Sequence, residues 1–141
     1  MIDLRPALRA ILLADPSVSA MVGGSRIYPT VLPQGMKSPS IVQNLVTENI
    51  DYYVAGDVRL MMARVQLDHW SQTSDLSAQL AGLVFDRLTG YKVDDLAFGS
   101  NSPQSRITIK GIFHDQGSDN YENEALMYSR RRDYLVWYWV R

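Results

Sequence analysis

The chain has 141 residues, 46% hydrophobic and 21% charged, with a net charge of -1 and no cysteine. That is enough chain for one domain with a core of its own, and the charge balance argues against a broad electrostatic footprint for nucleic acid or anionic lipid. Without cysteine, disulfides, thiolate zinc sites and cysteine nucleophiles are excluded.

The opening MIDLRPALRAILLAD places Leu4, Leu8, Ile11 and Leu12 at helical spacing, with Pro6 in the first turn, where proline is tolerated. Asp3, Arg5 and Arg9 interrupt it, so no continuous apolar segment of a leader forms. No other run approaches the roughly 18 residues of a membrane helix. The expectation is a soluble protein made and kept in the cytoplasm. Asp15-Pro16 reads as an N-cap followed by proline at N1. It opens a second short helix carrying Val18, Met21 and Val22, which stops at Gly23-Gly24. Arg26 to Tyr28 predicts a short strand ended by Pro29. Pro33, Gly35 and Pro39 mark a loop.

Ile41 to Val46 and Val58 to Leu67 read as strands, joined by TENIDYYVAGD as a long hairpin connection or an extended arm. In the second strand Val58, Leu60 and Met62 share one face, while Val65 and Leu67 share the other. Either a bulge near Ala63 or burial on both faces accounts for this. Leu76, Leu80, Leu83, Val84 and Leu88 form a helical stripe, capped by Ser71, Thr73 or Ser74 and ended by Thr89-Gly90. Arg106 to Phe113 alternates, with Ile107, Ile109 and Phe113 on one side and Arg106, Thr108 and Lys110 on the other. The acidic loop HDQGSDNYENE follows, and then a last strand within MYSRRRDYLVWYWVR. The order predicts one α+β domain over residues 1–141. Its sheet is mostly antiparallel, with two main helices packed on one face and long hairpin loops.

The chemistry-bearing residues are few. The only histidines form the pairs Asp68-His69 and His114-Asp115. Were they to converge, Asp68, His69, His114 and Asp115 make a two-His, two-carboxylate metal site, and the chain a small metal-dependent hydrolase. The plainer reading is that both pairs mark strand ends, with no catalytic, metal or cofactor site. No glycine-rich phosphate loop or G-x-S-x-G element is present. Arg130, Arg131 and Arg132 can grip phosphate, or simply begin a solvated strand balanced by the acidic loop.

The last strand is apolar on both faces: Tyr134, Val136, Tyr138 and Val140 on one, Leu135, Trp137 and Trp139 on the other. Each large aromatic buries about 150–250 Å². Two helices cover one face. The second face is then covered by loops of the chain itself or by another subunit. Tyr52, Tyr53, Met61 and Met62 are further candidates for a subunit surface.

LRPALRAILLADPSVSAMVGGSRIYPTVLPQG, VQLDHWSQTSDLSAQLAGLVFDRL and YSRRRDYLVWYWV, in that order, resemble the phage tail-completion family, also described as tail terminator or tail-to-head joining proteins. The resemblance covers nearly the whole chain. It implies a non-enzymatic virion protein without cofactor. Such a protein forms a homo-oligomeric, usually hexameric, ring at the head-proximal end of a long tail, assembled in the host cytoplasm. The ring ends tail-tube polymerisation and joins the tail to the head connector, with phage DNA passing through its lumen without sequence-specific binding and no membrane involved. Interface residues on this reading are Tyr52, Tyr53, Met61, Met62, Asp115, Asp119, Glu122, Glu124, Arg130, Arg131, Arg132, Trp137 and Trp139. A neighbouring head-closure connector subunit is the alternative within the same setting.

Overall fold

The computed structural model describes residues 3–53, 56–123 and 126–140, with side chains throughout these ranges except 50–59. Among the described residues three helices, α1 (Arg5–Leu13), α2 (Pro16–Met21) and α3 (Ser74–Leu88), accompany six strands: β1 (Ile27–Pro29), β2 (Ser40–Tyr53), β3 (Gly56–Ser71), β4 (Val93–Phe98), β5 (Ser105–Glu122) and β6 (Met127–Val140). The strands form one sheet in the order β1-β2-β3-β6-β5-β4, curled into a half-barrel. β1 pairs in parallel with β2 and every other pair is antiparallel, so the sheet is mixed.

The helices form where capping and apolar spacing coincide. α1 buries Ala7, Leu8, Ile11 and Leu12, one stripe at three- and four-residue intervals. Asp15 Oδ1 accepts from Ser17 N (2.9 Å) and Val18 N (3.4 Å), and Pro16 follows as the first residue of α2. Thr73 Oγ1 accepts from Leu76 N (3.2 Å) to start α3, with Asp75 in its first turn and Arg87 in its last, both favourable to the helix dipole. Gly90 follows α3 at φ 77 and its N–H donates to Ile112 O (2.8 Å), tying the helix end to β5. α3 buries Ser77, Leu80, Ala81, Val84 and Leu88. Leu76, expected in the buried stripe, is 38% exposed, because the small residues Ser77 and Ala81 let the helix approach the sheet along a stripe turned away from it.

One hydrophobic cluster joins α1, α2 and α3 to the strands, through Met61, Ala63, Val65 and Leu67 of β3, Ile107, Ile109 and Ile112 of β5, and Tyr134, Val136 and Tyr138 of β6. This defines an inner face of the sheet. Alternate residues of β3, Met61 through Ser71, are buried on it without interruption, and β3 pairs with β6 in unbroken register from Met61↔Tyr138 to Ser71↔Tyr128. The expected bulge near Ala63 is therefore not in β3. It lies in β2 at Val46, between the pairs Leu45↔Val65 and Thr47↔Arg64.

Three expectations are corrected. The segments around 48–53 and 114–122 are not loops but the outer halves of two long hairpins, paired by backbone hydrogen bonds down to Tyr53↔Gly56 and Glu122↔Met127. Val93–Phe98 is an additional strand. Phe113 does not share a face with Ile107 and Ile109. The register slips between Ile109 and Gly111, so Ile112 takes the inner position and Phe113 points outward, 51% exposed.

Candidate functional site: the open face of the sheet

The face opposite the helices is built from alternate residues of β3, β6 and β5. Leu135 lies between Arg64 and Phe113, and Trp137 between Met62 and Gly111. Leu135, Trp137 and Met62 are half-buried and Trp139 is 36% exposed. A Cβ at Gly111 would meet the Phe113 ring at 2.9 Å, so a side chain here would have to displace that exposed ring. The ring lies across the glycine and extends the apolar strip towards Trp137. Lys110 sets its ammonium 3.9 Å from the Trp139 ring centroid, a cation–π contact at the edge of the strip.

Below the strip the same face turns polar. Arg64 contacts Asp115 and lies 3.4 Å from Asp133, and Asp115 holds the guanidinium pKa above its usual value. Arg131 Nε donates to Asp68 Oδ1 at 2.9 Å. At the foot of the face, the loop from Leu32 to Lys37 shares a cavity with Trp70 and Glu122. The loop covers that end of the sheet, and the strip above it is open.

The expected interface residues separate by strand phase. Trp137, Trp139, Met62, Asp115 and Arg131 are on the open face. Met61 is 3% exposed in the core and presents nothing outward, since the neighbouring position on a strand faces the other way. Arg130 and Arg132 face the helix side, so the three arginines form no single patch. Arg130 instead pairs with Asp119 at 2.7 Å across the β5–β6 hairpin. Glu122 is exposed at the end of β5. Glu124 and the side chains of Tyr52 and Tyr53 lie outside the described residues.

The four residues of the alternative metal site do not meet. Asp68 faces outward to Arg131, whereas His69 faces inward and is fully buried, its Nδ1 donating to Arg130 O at 2.7 Å. Burial pushes the His69 pKa down to about 4, so the ring is neutral. His114 stacks edge-on between Phe85 and Tyr134, with β6 separating its strand from β3. Among the described residues no group of three or more potential ligands is close enough to hold a metal ion. Among the described residues no helix is long and apolar enough to cross a membrane.

Reading the sequence alone missed the outward turn of Phe113 and the polar cluster around Asp133. Gly111 and Gly117 were the available signals, since glycine within a strand marks a bulge or a close approach.

The model of the family described as tail completion protein gp17 matches residues 6–138. The chain belongs to this family. It is a phage tail structural protein and a component of the virion. A solved chain from the virion of a native gene transfer agent particle shares the fold, with a TM-score of 0.65 at 16% identity over 93% of this chain and 90% of that one. No curated protein shows significant sequence similarity to the chain.

Proposed function

We propose that the chain acts as a single unit over residues 1–141, without enzymatic activity. Copies of it close into a hexameric ring at the head-proximal end of the tail. The ring ends tail-tube growth on one side and meets the head connector on the other, with DNA passing through its lumen. The observation that carries this reading is the open apolar strip of Phe113, Leu135, Trp137 and Trp139. A monomer leaves this surface in water. A ring with head-to-tail contacts covers it with a different patch of the next subunit. Membership of the tail-completion family supports the same place in the particle. The experiment is removal of the gene from its phage. The expected result is DNA-filled heads and separate tails of uncontrolled length. Tails of normal length joined to heads would contradict the reading.

A further inference from the structure

Gln66, Asp133 and Gln116 stand at one level of the three central strands, directly beside a bulge in β5 at Asp115. Together with Gly117, Ser118 and Arg131 they line a notch in the open face. Asp133, from the middle of β6, is 8% exposed. Among the described residues its Oδ2 accepts two long bonds, from Gln116 Nε2 (3.3 Å) and Arg64 Nη1 (3.4 Å). Its Oδ1 is buried without a hydrogen-bond partner among the described residues.

The neighbouring cations are shared with other carboxylates. Arg64 has Asp115 as its nearer partner. Arg131 pairs with Asp68, and the Gln66 amide oxygen, in the orientation that satisfies both atoms of the amide, accepts from Arg131 Nε at 2.6 Å. On the open face three carboxylates, Asp68, Asp115 and Asp133, thus share two guanidinium groups, Arg64 and Arg131, while Arg132, on the helix side of β6, packs against Gly117. A buried carboxylate oxygen without a donor is strongly unfavourable. A neutral donor satisfies the oxygen but leaves the excess negative charge.

We propose that this notch is a socket for one basic side chain, an alkylguanidinium or alkylammonium group, presented by a neighbouring copy of this chain. The identity of the occupant rests on the ring reading; the chemistry of the socket does not. Asp133 is two residues from Leu135 on the same face of β6, so a subunit seated on the apolar strip also covers the notch. The polar socket then fixes the register of a contact whose apolar part is non-directional. The chain carries suitable donors. Lys92, in the α3–β4 turn, is exposed.

Two measurements test the proposal. The first uses the protein below its assembly concentration, titrated with methylguanidinium chloride and, separately, sodium chloride at equal ionic strength. Backbone amide resonances of Gln116, Gly117 and Ser118 are expected to shift saturably with methylguanidinium only, and the response is lost in Asp133→Asn. Equal responses in the two proteins, or none in either, overturn the socket. The second compares self-association with thermal stability. Asp133→Asn is expected to weaken assembly about tenfold without lowering the melting temperature. Ser118→Lys, which offers the notch an ammonium from its own chain, is expected to keep or raise the melting temperature and to weaken assembly as well. Wild-type assembly in both variants overturns the neighbouring copy as occupant. Parallel loss of stability and assembly in Asp133→Asn makes the carboxylate structural only and overturns the socket. A wild-type chain that stays monomeric at high concentration defeats the ring reading and its occupant, while the methylguanidinium titration still decides the chemistry.

Discussion

The two faces of β6 carry nearly the same chemistry and meet different fates. Tyr134, Val136 and Tyr138 are fully buried under the helices. Leu135, Trp137 and Trp139, one residue out of phase, stay half-buried or exposed. All three helices contribute to one core on the inner side, and on the outer side the Leu32–Lys37 loop reaches only the foot of the sheet. Apolar alternation therefore states that a face wants covering, and connectivity decides whether the chain itself can cover it. Burial on the inner face stabilises the fold. On the outer face the same apolar character stays partly in water, and association is the role proposed for it.

Substitutions on the inner face are expected to give the largest effects. Tyr138→Ala removes a buried ring and the hydroxyl that donates to Glu48 Oε1 at 3.0 Å. A loss of about 3–5 kcal/mol in urea unfolding is expected, a large part of the roughly 5–15 kcal/mol typical of a domain. A loss below about 1 kcal/mol would erase the contrast between the faces.

Acid titration sharpens the comparison next, because Asp68 and His69 are adjacent in sequence and lie on opposite faces. His69 has a pKa of about 4 when folded, against 6.5 for the free side chain. Between these values the unfolded chain holds more protons, so stability falls as pH drops from about 6.5 to about 4 and is fully present above 6.5. The depression corresponds to roughly 3 kcal/mol. His69→Gln should remove that dependence from the pH profile of the unfolding free energy, whatever its own cost in packing. A profile of unchanged slope would assign the acid sensitivity to other groups.

A smaller effect is expected at the start of α3. Thr73→Ala deletes the cap on Leu76 N and should cost about 1 kcal/mol by thermal or urea unfolding. An unchanged midpoint would mean that inner-face packing alone holds the first turn.

Much of this was legible in the sequence. The Asp15 cap, a cap for α3 among Ser71, Thr73 and Ser74, the stripe of α1 and the double apolar character of β6 each follow from spacing and side-chain type. The outer half of β5 was not legible, because HDQGSDNYE has no apolar face and its strand form rests on backbone pairing with β6. β4 was hidden by Asp94 and Asp95 in a six-residue edge strand. Phe113 was assigned the wrong face because a single extra residue at Lys110 inverts the side chains from Gly111 to His114, until the second bulge at Asp115. At the site, the tryptophans were found from alternation, whereas the notch depends on a second bulge at Asp115 that only strand pairing reveals.

The central claim, that the outer face of β6 serves assembly rather than folding, is tested most directly by sedimentation velocity on the wild-type chain and the double variant Trp137→Ala, Trp139→Ala. The wild type is expected to sediment as a closed oligomer. The variant is expected to sediment as a folded monomer whose unfolding free energy lies within about 1 kcal/mol of wild type. A variant that keeps the wild-type oligomer, or one that fails to fold at all, would contradict the claim.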